Sequence, residues 1–150
     1  MVKVLKYIIG IILTVVPCVV CDYLIQYPLY KFDARETPVY KALLLLALCG
    51  VAVVLVYGGI VLLNKYFEWL SGKDMALMLS ISSLILFWIM LFGFARIPIP
   101  YSWIPSNNEM AFGFGQFLIQ LFTMVPSLII VIICVIYIKI AKAKRIKGRK

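Results

Sequence analysis

Two cysteines three positions apart, Cys18 and Cys21, are followed at once by Asp22 inside an otherwise apolar run. A Cys-x-x-Cys pair can cycle between dithiol and disulfide, or supply half of a zinc site. The chain has no histidine and just two further cysteines, Cys49 and Cys134. One Cys-x-x-Cys supplies only two of the four ligands of a tetrahedral site, and without histidine no metal is expected here. A second polar set lies near the C-terminus, where Gln116, Gln120, Thr123, Ser127 and Cys134 fall in one narrow sector at about 100° per residue. Such a stripe can bond to neighbouring helices. Alternatively, several subunits could turn it toward a shared axis, where it would line a water-filled path. Other chemistry is thin. Ser80, Ser82 and Ser83 have no base near them in sequence, and no glycine-rich phosphate loop is present. No acid or base is expected deep in a span, so neither a proton relay nor an enzymatic activity is expected, and no cofactor is called for.

The elements that must position these residues follow from composition. Of 150 residues, 65% are hydrophobic, more than a water-facing surface can carry. Residues 7–21, 42–63, 75–95 and 110–138 contain no charge at all. A helix rises about 1.5 Å per residue and must cross roughly 30 Å of hydrocarbon, which takes about 20 apolar residues. The expected fold is therefore an all-α integral membrane bundle of four transmembrane helices with short loops, near 4–25, 41–63, 75–95 and 116–139. Residues 1–141 form one membrane domain, and 142–150 a basic tail. The first span reaches full length only by continuing past Asp22 to about Ile25, which puts the acid at the rim.

Lysine and arginine in the flanks give the orientation. Lys3, Lys6, Lys65, Lys73 and seven cations from Lys139 onward lie on one side, against Lys31, Arg35, Lys41 and Arg96 on the other. Both termini are thus expected in the cytoplasm of a plasma or bacterial inner membrane. A cleaved signal peptide is the rival reading of residues 1–21, but no A-x-A-like site follows them. Between helices 3 and 4, Pro98, Pro100 and Pro105 forbid a regular helix. Ile97, Ile99, Tyr101, Trp103 and Ile104 suit a segment on the bilayer surface or packed over the bundle. Thr37 and Pro38 read as a helix start, and Pro126 as a kink in helix 4.

Small residues mark where helices can approach closely. On helix 1, Gly10, Thr14, Pro17, Cys18 and Cys21 share a sector. Ala47, Gly50, Val54 and Gly58 do so on helix 2, and Ala76, Ser80 and Ser83 on helix 3. Four short helices commonly leave one such face over, so a homo-oligomer is expected. Counted from Lys6, Cys18 and Cys21 lie about 18 and 22 Å into the membrane, toward its outer side. With four helices, that placement of Cys18-Val19-Val20-Cys21 resembles the membrane disulfide-bond-forming quinone reductases and, more distantly, the vitamin K epoxide reductases. The resemblance implies a thiol oxidoreductase using Cys18 and Cys21. Those families also need a relay pair in an outer loop, whereas Cys49 and Cys134 are predicted inside helices 2 and 4.

The tail carries Lys142, Lys144, Arg145, Lys147, Arg149 and Lys150 with no acid among them. It is expected to bind anionic headgroups, at about 1 kcal/mol per residue near the surface, or to dock an acidic cytosolic protein. Nucleic acid is not expected, because aromatic residues are not interleaved. The leading expectation is a non-enzymatic membrane anchor or sensor that couples the envelope to a cytosolic partner, as in an envelope-stress, secretion or phage-defence system. A small channel lined by Gln116, Gln120, Thr123 and Ser127 is the alternative, and the thiol oxidoreductase a second.

Overall fold

The computed structural model describes residues 2–31, 39–103 and 109–147, without the side chains of 109–111 and 145–147. Thr37, Pro38, Ile104, Pro105, Arg149 and Lys150 lie outside that set, as do the side chains of Arg145 and Lys147. The described residues are helical and contain no strand. Helix α1 covers Val2–Tyr30, α2 Val39–Phe67, α3 Gly72–Trp88 and α4 Glu109–Lys147. A π turn, Ile89–Gly93, and a 3-10 turn, Phe94–Arg96, extend α3, and Tyr101–Trp103 forms a further 3-10 turn. All four helices, α3 with its extension, are long and apolar enough to cross a membrane.

The bundle is apolar on the outside. Large side chains such as Leu44, Leu55, Leu62, Phe92, Phe117 and Ile133 are exposed along the helices, while the interior holds many small and polar ones. That inversion suits hydrocarbon, where apolar surface gains nothing from burial and close packing does the work. Helix α3 with its extension is the most enclosed, burying Met75, Met78, Leu79, Leu86 and Met90, together with Ser80, Ser82 and Ser83. It packs chiefly on α4 and α1, while α2 packs on the other flanks of the same two helices. The backbones of α2 and α3 come near each other at few points, so the cross-section is a lozenge with α1 and α4 approaching across its centre.

Gly10 permits the α1–α3 approach, because a Cβ there would collide with the buried Met78 side chain. Gly50 does the same for α2 and α4: a Cβ would lie 3.3 Å from the Phe122 carbonyl oxygen. Pro126 has no N–H to give that oxygen, its normal i−4 partner, so the gap at Gly50 lets the α2 backbone cover an unpaired carbonyl. Val54 and Gly58, grouped with Gly50 by periodicity, face outward on the bundle surface.

The turn between α2 and α3 is built from local polar contacts. Glu68 adopts φ 47°, ending α2 in the left-handed conformation. Asn64 then brackets Leu70, accepting from its N–H at 2.7 Å and donating to its carbonyl at 3.1 Å. Ser71 caps α3 by accepting from the Asp74 N–H, and its hydroxyl donates to the Asp74 carboxylate at 2.8 Å. At the other end of the bundle, Trp103 packs against Tyr23 and Tyr27, with ring centroids 5.4 and 5.1 Å away. The Tyr23 hydroxyl donates to the Pro98 carbonyl, so the proline-rich segment is seated on the end of α1.

Candidate functional site

A polar seam runs along the inner face of α1. Tyr7, Gly10, Thr14, Cys18, Asp22, Gln26 and Tyr30 recur at steps of three or four, the period that keeps side chains on one helical face. Thr14 returns its hydroxyl to the carbonyls of Gly10 and Ile11. Farther along the seam the partners come from other helices. The Thr123 hydroxyl of α4 donates to Asp22 Oδ2 at 2.7 Å, across the lozenge centre where α1 and α4 approach. The Cys49 thiol of α2 lies beside the same carboxylate, while donating weakly to the Leu45 carbonyl at 3.9 Å.

Asp22 is 0% exposed, so it is enclosed within the bundle and does not meet water as its expected place at the rim implied. The physical reason is that α1 does not stop near Ile25. Tyr23 and Tyr27 are covered by Trp103, and the Tyr30 hydroxyl donates to Gln26 Oε1 one turn back at 3.1 Å. Those contacts carry the helix two turns past Asp22, and Pro28 in the last turn is tolerated there. The acid is therefore enclosed by its own helix, by Cys49 and by Thr123. Oδ1 of Asp22 and Nε2 of Gln26 are buried without a hydrogen-bond partner.

A second buried set lies between α2 and α3. The Tyr57 hydroxyl sits beside Ser82 and Ser83, and Tyr57 Oη and Ser83 Oγ are likewise buried without partners. Ser82 donates to the Leu79 carbonyl and Ser80 to that of Ala76. The Cys134 thiol of α4 is next to Ser80.

The helix 4 stripe points into this core. Thr123 and Ser127 are fully buried, Gln116 is nearly so, and Gln120 is half-buried. Ser127 bonds the Thr123 carbonyl at 2.8 Å, which links two members of the stripe. Of the cysteine pair, Cys18 is buried in the core and Cys21 is partly exposed; both are free thiols, as are Cys49 and Cys134. Among the described residues, no three of Cys, Asp and Glu gather as a metal site would require. The stripe and the seam could be read from spacing, but the Asp22–Thr123 bond joins positions 101 residues apart, which no local pattern encodes.

Charge collects at one end of the bundle. Lys3 pairs with Asp74 at 3.0 Å, the Tyr7 hydroxyl donates to the same carboxylate, and Lys6 donates to the Trp69 carbonyl. These contacts bring the start of α1 and the α2–α3 turn together. Tyr137 of α4 reaches Gly72 at this end, where a Cβ would meet its hydroxyl at 2.8 Å. Lys139, Lys142 and Lys144 follow on an overhang of about 15 Å beyond Tyr137. Compared with known proteins, the chain matches no family model, no curated protein and no solved structure.

Proposed function

We propose that this chain is a non-enzymatic, multi-pass subunit of a plasma or bacterial inner membrane, with both termini and the α2–α3 turn in the cytoplasm. It acts as a homo-oligomeric anchor or sensor, and the basic end of α4 presents it to anionic lipid or to an acidic cytosolic protein. The observation that carries this reading is the sorting of charge by bundle end. Lys3, Lys6, Lys65, Lys73 and the α4 cations share one end, while Lys31, Lys41 and Arg96 lie near the other. Short flanks rich in lysine and arginine remain on the cytoplasmic side during insertion. The inward turn of Thr123 and Ser127 supports an anchoring role over a pore lined by that stripe, since both side chains are engaged within one subunit.

Topology reporters test the orientation. Alkaline phosphatase fused after Lys150 should be inactive and a fluorescent protein there bright; phosphatase inserted at Ser102 should be active. The reverse pattern removes the reading. Co-purification with and without residues 142–150 then tests the docking role, and a partner retained equally by both forms would exclude the tail as its site.

A further inference from the structure

A groove opens on the bundle surface between α1 and α2, beside the basic end. Leu13, Ile60, Leu63, Phe67 and Trp69 line it, and it holds about 370 Å³. That is more than twice the roughly 150 Å³ of a cavity that takes up benzene. Ile60 is buried and Trp69 half-buried, whereas Leu13, Leu63 and Phe67 are exposed, so the chain's own side chains leave the groove open.

The groove has a direction. Leu13 and Ile60 mark its inner end. Phe67, seven residues after Ile60, and Trp69 mark the other, next to Lys6, which stands seven residues before Leu13. Seven residues of helix span about 10 Å, most of the roughly 15 Å that half of a bilayer's hydrocarbon core measures. The depression therefore starts at the charged end of the bundle and runs toward its middle.

Its mouth is cationic. The Lys6 ammonium donates to the Trp69 carbonyl at 3.0 Å, which holds it at the entrance and engages one of its three hydrogens. Trp69 sets an amphipathic ring at the same level, as suits the headgroup layer. Four lysines, Lys3, Lys6, Lys65 and Lys73, stand at this end of α1, α2 and α3, with two acids, Glu68 and Asp74. Asp74 is held by Lys3, Tyr7 and Ser71, and Glu68 is exposed on the turn. A second copy laid alongside in the same orientation complements this mouth poorly, since it brings the same lysines and the same two acids to that level. A phospholipid with a negative headgroup supplies both parts at once, a phosphate for the ammonium and a hydrocarbon chain for the groove.

We propose that this groove binds one anionic phospholipid from the leaflet at the basic end, with an acyl chain along Leu13, Ile60, Leu63 and Phe67 and the phosphate at Lys6. The site is separate from the α4 tail. The proposal rests on the chain being embedded in a membrane, whichever way round.

For the test, the full chain is reconstituted in nanodiscs of equal parts phosphatidylglycerol and phosphatidylcholine, and native mass spectrometry counts the lipid retained once the disc is stripped away. Wild type should keep one phosphatidylglycerol per chain. Lys6→Gln, which can still donate to the Trp69 carbonyl, should lower the preference over phosphatidylcholine about fivefold, the worth of one surface cation. Leu63→Trp, which fills the groove, should lower retention of either lipid, while Lys142→Gln with Lys144→Gln should change neither. Equal retention of the two lipids by wild type, or wild-type behaviour of Lys6→Gln and Leu63→Trp, overturns the proposal. If those variants do not fold, phosphatidylglycerol with a photoreactive group on its acyl chain is applied to wild type. Adducts at Leu13, Ile60, Leu63 or Phe67 are expected, and adducts confined to other faces overturn the proposal, as does a disulfide joining two copies that carry Leu63→Cys. A chain that never enters the nanodisc fails the membrane reading itself, whereas an embedded chain without bound phosphatidylglycerol fails the groove alone.

Discussion

At the scale of single residues, the Asp22–Thr123 bond joins two fully buried side chains of different helices. Thr123→Val keeps the shape but leaves the second carboxyl oxygen of a fully enclosed acid unbonded, at a cost of about 1–3 kcal/mol. Thr123→Ser should recover most of it, and detergent-denaturation midpoints of the three proteins check the order. Periodicity was enough to put Thr123 and Ser127 on one face, because a helix converts spacing into direction. It was also enough to align Gly10, Thr14 and Cys18. The role of Asp22 escaped it for two reasons. Span arithmetic halts a helix once about 20 residues have crossed, whereas Trp103 prolongs α1 through tertiary contacts and the Tyr30–Gln26 bond secures its last turn. The partner, moreover, belongs to a helix remote in sequence.

At the scale of elements, the helices were legible as charge-free runs and the joints between them were not. The π and 3-10 turns after Trp88 lie in a stretch that reads as plain apolar helix, since backbone register leaves no trace in hydropathy. The α2–α3 joint carries a correctable strain. Glu68 is exposed and holds a left-handed backbone that glycine adopts freely, so Glu68→Gly should stabilise the turn by about 1 kcal/mol or less. A fall in the unfolding midpoint would contradict that account. The α2–α4 contact is the opposite case. Gly50→Val pushes a side chain against the Phe122 carbonyl and should cost about 1–3 kcal/mol, as overpacked sites do. Disulfide trapping between cysteines introduced at Ala47 and Leu121, which line the same apolar groove, should slow in that variant.

At the scale of the whole molecule, the outward apolar belt determines where the chain can exist. Leu55 is 67% exposed and stands near the middle of α2. Leu55→Arg should therefore disfavour insertion by about 2.5–3.5 kcal/mol, whereas Tyr66→Arg, near the helix end, should have little effect. Glycosylation-based insertion assays with α2 as the test segment measure both, and equal tolerance would argue against a lipid-facing surface. The charge at the two ends and the seam between them meet in α4. Its N-terminal part is tied to α1 through Thr123, and its basic part meets α3 where Tyr137 reaches Gly72. Pro126 stands between these attachments, at the point where the backbone ladder lacks one rung. Helix α4 runs unbroken through Pro126, and the missing rung marks the place where it can bend most easily. From Pro126 to the end of α4 is about 30 Å, so a tilt of about 10° would carry that end sideways by about 5 Å. A small change in how tightly Thr123 is gripped inside the bundle would be read outside it as a displacement of the lysines.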